Sequence, residues 1–387
     1  MRTKILSALL AVMLTLGLSG CGGDGDTAAE TQVVAVEEQP TTGEITTVPT
    51  TDEAPQQSAT TETTEEPQAT DEGSDETAQT PTFSGPLAYV ADGEAGLQII
   101  DLTNRTIIGS VDTPEDAVAV VLSPDGTIAY VSDSLSGIQI VDVADPTNAS
   151  IIANIDTPGL ANGIALSPDG NLLYVADTDA GMHVIDVSNP SSPVLISTAT
   201  TPEHAYNVAL SSDGTLAYVV MDNGGLAVYD VSDPANPTII GTASSLKKWP
   251  YDIAISPDNT KAYITTSDYA TGYLEVVDIS TPTNPTILAT QEFVNYTGGI
   301  ALSPDGSKAY VAYGLGLHVV DVSDPANPTV VGSINTPGAY YGLALSSDGS
   351  TAYVALGGDG LGIVDVINLS AVDLIDTPGF AKDVTVR

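Results

Sequence analysis

An all-β fold of seven stacked units is what the chain between Leu87 and Arg387 predicts, and three observations carry the prediction. A Tyr opening a strand-like run recurs as Tyr89, Tyr130, Tyr174, Tyr218, Tyr263, Tyr310 and Tyr353, at steps of 41, 44, 44, 45, 47 and 43 residues. An Asp closing an apolar run recurs as Asp101, Asp142, Asp186, Asp230, Asp278, Asp321 and Asp365. Each unit supplies four short runs of Val, Ile, Leu and Tyr, bounded by Pro, Gly, Asp and Asn and without a sustained helical period. Units of this length cannot bury their own apolar faces and must stack on one another. Four antiparallel strands per repeat make the blade of a β-propeller, here with seven blades.

Residues 1–20 read as an export signal. Arg2 and Lys4 precede the 14-residue apolar run from Ile5 to Leu18, too short for a bilayer but suited to a signal core. The run ends in Leu18-Ser19-Gly20-Cys21, which resembles a bacterial lipobox. That resemblance implies a lipidated Cys21 as the first mature residue, with Gly22 pointing to the outer membrane or cell surface. An ordinary secretory signal followed by an unmodified Cys is the other reading. Cys21 is the single cysteine, so no intrachain disulfide can form. From Cys21 to Phe83 the chain holds 15 acidic residues and no Lys or Arg, with abundant Thr, Pro and Gln. Such a segment buries too little apolar surface to offset its ordering entropy and predicts a disordered tether, with a root-mean-square reach of roughly 40–50 Å.

The head, 84–387, is legible strand by strand in the unit that starts at Asn162. Its runs are 163–166, 172–176, 182–187 and 194–197, the first two joined by Ser167-Pro168-Asp169-Gly170. In that turn Pro presets φ, Asp bonds the backbone two residues on, and Gly takes the left-handed conformation. The innermost-strand pattern with its turn occurs six times in full, with turn carboxylates Asp125, Asp169, Asp213, Asp258, Asp305 and Asp348. The first unit lacks that strand, and the chain ends on Ala381-Lys382-Asp383-Val384-Thr385-Val386, which aligns with 161–166. The C-terminal strand is therefore expected to close the first blade, leaving no open edge at the seam.

Leu-His-Val-Val-Asp-Val-Ser-Asp-Pro-Ala-Asn-Pro-Thr at 317–329 and its near copy at 226–238 resemble the LVIVD family of seven-bladed surface propellers. Ser-Pro-Asp-Gly followed by Ala-Tyr-Val-Ala is similar to the related YVTN repeat. The resemblance implies an exported, surface-attached binding or structural protein and supplies no catalytic motif. Propellers host lactonases, quinoproteins and adhesins alike, so the fold names no activity.

In a propeller the loops joining first to second and third to fourth strands share one face, and here they are monotonous. The opposite face carries the blade-to-blade connections and the second-to-third loops, where the units differ. Candidate ligand-binding residues on it are Asp116, Asn162, His204, Tyr206, Asn207, Trp249, Tyr251, Asp252, Tyr296, Tyr340, Tyr341, Lys382 and Asp383. Aromatic rings interspersed with Asn, Asp and His around a depression have the composition of a recognition surface. Plugging of the channel and packing between blades would account for the same rings.

The second-to-third loops add Asp92, Asp133, Asp177, Asp179, Asp222, Asp268 and Asp359. Asp177-x-Asp179 with loop carbonyls could begin a calcium site, although the spacing is not that of an EF-hand. No other cofactor is implied. His183 and His318 share a repeat position with Gln98, Gln139, Ala227, Glu275 and Gly362, which reads as an exposed, tolerant strand site. His204 is the candidate general base for a catalytic reading, with Asp252 or Asp116 as partner; a solvated His is the plainer account. No Cys-His metal spacing, phosphate loop or nucleophile elbow occurs. The chain thus reads as a binding or scaffolding module, the alternative being a lactonase or quinoprotein type of propeller acting at the channel mouth.

The formal net charge is −41, and the head alone carries 7 basic against 35 acidic residues. Nucleic acid and anionic lipid surfaces are repelled by such a field. Expected partners are the membrane through Cys21 and an extracellular or periplasmic protein or glycan, met by a monomeric head. Lys247-Lys248 beside Trp249 is an isolated basic pair.

Overall fold

The computed structural model describes residues 85–387, apart from 224, 245, 248, 269, 337, 339 and 340. The signal, Cys21, the tether and Tyr340 lie outside the described residues. Among these residues 28 strands form seven four-stranded antiparallel sheets, one per blade. The unit quoted above appears as Ala161–Leu166, Leu172–Asp177, Gly181–Asp186 and Val194–Ala199, neighbours in that order.

The seam closes as the repeat pattern requires. Strand Asp383–Val386 pairs antiparallel with Leu87–Ala91, Val384 opposite Val90 and Val386 opposite Ala88, completing a sheet with Leu97–Asp101 and Thr106–Val111. Leu87 and Arg387 exchange backbone hydrogen bonds of 3.1 and 2.9 Å. The Arg387 guanidinium lies 5.9 Å from the centre of the Tyr89 ring and donates to the Gly126 carbonyl of the second blade at 2.5 Å.

Each blade is covered on both faces by its neighbours, which is why its middle strands are continuous apolar runs. Leu87–Ala91 and Leu97–Asp101 are buried throughout, whereas the outermost Thr106–Val111 is exposed where it starts. The cores lie between blades. Tyr174, Met182 and Val184 of the third pack on Val208, Val219 and Tyr229 of the fourth. Ala88, Val90 and Ile100 of the first pack on Tyr353, Ala355 and Leu361 of the seventh. All seven repeated Tyr are buried in these layers.

This layering corrects the reading of the position shared by His183 and His318 as exposed. Gln98, Gln139, His183, Ala227, Glu275 and Gly362 are all buried there, and His318 is only partly exposed. Alternation marks one wet face only where a sheet has one; a strand between two blades has none.

Local devices repeat with the blades. A β-bulge sits at the same place between third and fourth strands in all seven, from Ile99/Ile100 to Ile363/Val364. It bends each outer strand alike and adds twist. In the first Ser-Pro-Asp-Gly turn, Ser123 Oγ donates to Asp125 Oδ1 at 2.6 Å, the Thr127 N–H donates to the same oxygen at 3.0 Å, and Gly126 adopts φ of 70°. Serine hydroxyls and backbone N–H groups hold Asp125, Asp213 and Asp348 below the usual carboxylate range, Asp348 at about 2.

Candidate ligand-binding face at the channel mouth

Three loop carboxylates expected on this face serve as clamps inside it. The Thr377 hydroxyl donates to Asp92 Oδ1 at 2.6 Å and the Gly379 N–H to Oδ2 at 2.8 Å. The Glu115 N–H donates to Asp133 Oδ2 at 3.2 Å, and the Gly159 N–H to Asp177 Oδ2 at 2.9 Å. Each aspartate pins the Thr-Pro connection that enters its own blade. All three are fully buried, and burial raises the Asp92 and Asp133 carboxyls above their ordinary range despite these donors.

Asp177 and Asp179 have separate partners. The Asp177 carboxylate meets His183 Nε2 at 3.0 Å in the core, while Asp179 meets His204 Nδ1 at 3.3 Å on the surface. Among the described residues no group of three or more His, Cys, Asp or Glu side chains converges as a metal site. The partner of His204 is Asp179, rather than the Asp252 or Asp116 that the catalytic reading named. Asp116 pairs instead with Lys382.

Deeper in the channel the innermost strands contribute one residue per blade at a shared register: Asp383, Ala119, Gly163, Asn207, Asp252, Gly299 and Gly342. Asn207 Nδ2 donates to Asp252 Oδ1 at 2.9 Å, and the Ile300 N–H of the next blade donates to Asp252 Oδ2 at 2.8 Å. Likewise the Val120 N–H donates to Asp383 Oδ2 at 3.0 Å. These side chains tie innermost strands whose inner edge has no further strand to pair with. Glycine makes the belt possible: a Cβ on Gly163 would strike the Asn207 amide, and one on Gly342 the Asp383 carboxylate.

Both belt carboxylates belong to partly buried residues on the innermost strands. Burial pushes Asp252 up to about 6 against the N–H donors of Ile300 and Ile253. Burial, with the charge of Asp252 adding to it, pushes Asp383 up to about 7 against the Val120 N–H.

Tyrosines stand around the mouth. Tyr251 and Tyr296 are exposed, Tyr206 and Tyr341 partly buried, and the Tyr341 ring meets Phe380 edge-on at 5.1 Å. Burial foremost, then Tyr296 and Tyr251, push Tyr341 up to about 12. Burial, then Tyr251, raises Tyr296; burial, then Asp222, Tyr251 and Asp179, raises Tyr206.

Of the sequence candidates, the structure thus brings together Tyr206, Asn207, Tyr251, Asp252, Tyr296, Tyr341 and Asp383. Asn162 is committed to the Thr178 hydroxyl at 2.7 Å, and Lys382 to Asp116. Trp249 is partly buried, and its carbonyl accepts the Ser267 N–H at 3.0 Å. Lys247 lies 5.5 Å from the centre of the Tyr273 ring.

The LVIVD repeat matches residues 78–113, 116–157, 158–201, 203–244, 262–290, 297–336 and 345–377. The chain belongs to the LVIVD repeat family. No curated protein matches this LVIVD protein. Its fold is similar to that of a functionally unknown protein from Desulfotomaculum acetoxidans, at a TM-score of 0.68 and 15% identity over 78% of this chain and 98% of that one. It is also similar to a periplasmic gluconolactonase of Pseudomonas aeruginosa, at 0.66 and 17% over 78% and 98%. Hydrazine synthase of Kuenenia stuttgartiensis is similar at 0.56 and 18% over 73% and 90%. At such identities the likeness is one of fold.

Proposed function

We propose that this LVIVD protein is a lipid-anchored binding module of the cell envelope, whose head takes a protein or glycan ligand at the channel mouth. The observation that carries the reading is the grouping of Tyr206, Tyr251, Tyr296 and Tyr341 above Asn207, Asp252 and Asp383, at positions where the repeats differ. Tyrosine offers a flat apolar face and a polar tip, suited to stacking on sugars or on apolar side chains. Asn207, Asp252 and Asp383 supply polar groups at the floor. The anchor rests on the lipobox resemblance at Cys21, and the acidic tether gives the head its reach.

The test is a glycan and peptide array probed with the full chain and with Tyr251→Ala. Saturable binding to an array member, weakened at least tenfold by the substitution, supports the proposal. Array binding equal in both proteins contradicts it.

One observation favours an enzyme reading. An Asp383 carboxyl half protonated near pH 7 can give or take a proton there, and the fold is shared with a gluconolactonase. Hydrolysis of sugar lactones by the chain, lost in a folded Asp383→Asn variant, would put this reading first.

A further inference from the structure

The fifth and sixth blades depart from the repeat in opposite senses, and a groove opens between them. Repeat Tyr and repeat Asp lie 12 positions apart in blades one to four and seven, 15 apart in the fifth (Tyr263 to Asp278) and 11 apart in the sixth (Tyr310 to Asp321). The outer strand of the fifth blade, Thr286–Val294, has nine residues where the other outer strands have six or seven. An overhanging strand therefore stands beside a shortened hairpin.

The result is a cavity of about 370 Å³ lined by Glu292, Phe293, Val294, Asn295, Tyr313, Leu315, His318 and Val330. That lies near the low end of small-ligand pockets, roughly 300–1,000 Å³. His318 is held between two rings, 3.7 Å and 12° from Tyr313 and 4.8 Å and 19° from Phe293, with Nδ1 at 2.7 Å from Ser333 Oγ. His183, at the same repeat position, is wholly buried, whereas His318 beside the shorter hairpin is partly exposed. Apolar groups at the opening are left in water: Val294 is 82% exposed, Leu315 58% and Val330 41%.

Two further facts say what could cover them. Thr286–Val294 is the last strand of its sheet and has a free edge, and no Lys, the usual guard of such edges, stands in it. Charge is one-sided: the lining includes the acidic Glu292 and no Lys or Arg, on a head with 35 acidic and 7 basic residues. An anionic occupant is repelled and a cationic one steered in.

We propose that this groove docks an extended, cationic peptide segment of a partner protein, which pairs along the free edge of Thr286–Val294 and places an apolar side chain against Val294, Leu315 and Val330. Added-strand recognition of this kind takes affinity from main-chain hydrogen bonds and specificity from the pocket. It is a surface separate from the channel mouth.

The test is fluorescence anisotropy with a labelled ten-residue probe that alternates Lys or Thr with Val and Phe, titrated against the full chain. Leu315→Gln and Val294→Thr leave the charge unchanged and lie at exposed positions. The expected result is saturable binding, weakened at least tenfold by either substitution and by N-methylation of alternate probe amides, and unaffected by Tyr251→Ala. Absence of saturable binding overturns the proposal, and so does binding that ignores both substitutions or the N-methyl groups. Loss with Tyr251→Ala instead moves the peptide to the channel mouth and also overturns it.

Discussion

Replacing Asp383 by Asn is expected to stabilise the head at alkaline pH, which is unusual for a polar residue that accepts a partly buried hydrogen bond. The carboxyl sits at about 7 in the fold against an ordinary 3.8. Each unit of such a difference corresponds to about 1.4 kcal/mol, so the ionised side chain disfavours the fold by on the order of 4 kcal/mol, an upper figure because channel water screens it. The sign follows from proton counting. Between pH of about 4 and about 7 the folded chain keeps a proton that the unfolded chain has released. Stability from this group is whole below about 4 and is lost as the pH rises through 7. Asn cannot ionise, and its carbonyl still accepts the Val120 N–H. The variant should match the wild type near pH 4 and exceed it by about 2–4 kcal/mol at pH 8. Asp252, pushed up to about 6, adds a slope of the same sign to both proteins. Turn carboxylates such as Asp348, at about 2, lose their contribution only as the pH falls from about 4 toward 2, below the window. Urea unfolding of the full chain at pH 4.5, 6 and 8, followed by fluorescence, measures all of this. A variant equal to or weaker than wild type at pH 8 would refute the buried, coupled carboxylate.

Two further outcomes are expected. Deleting 381–387 removes the strand that completes the first blade together with Ala381 and Val384 of the seam core, and should lower the melting temperature of the whole head; an unchanged midpoint contradicts closure by that strand. Cys21→Ser should move the protein from the membrane to the soluble fraction on cell lysis, and continued membrane association would show that Cys21 is not the anchor.

Blade number, strand order and seam were legible because each rests on a pattern repeated seven times, and a repeat averages out local ambiguity. The role of the shared position of His183 was not legible. Alternation along one strand says which side chains share a face, not whether a neighbouring blade covers that face. The buried clamps of Asp92, Asp133 and Asp177 were missed for a similar reason, since a carboxylate in a loop of small residues reads as solvated until its Thr-Pro partner is brought to it. A signal for the channel belt did exist: Gly163, Gly299 and Gly342 stand at the register where other blades have Asn207, Asp252 and Asp383. It could be interpreted only once ring order placed Gly163 beside Asn207 and Gly342 beside Asp383. The groove at His318 had its own signal in Tyr-to-Asp separations of 15 and 11 positions in adjacent blades.

The proposed function puts the working surface at the channel mouth rather than at the repeated turns. The most direct test is affinity for the strongest array ligand, measured for Tyr206→Ala, Tyr251→Ala, Tyr296→Ala and Tyr341→Ala beside Asp125→Ala and Asp169→Ala. Each Tyr substitution should weaken binding by more than about 1 kcal/mol, as anchor residues do. The Asp substitutions should lower stability by about 1 kcal/mol through lost turn hydrogen bonds and leave affinity alone. Affinity that falls with the turn variants and ignores the tyrosines would contradict it, placing the ligand on the opposite side of the disc.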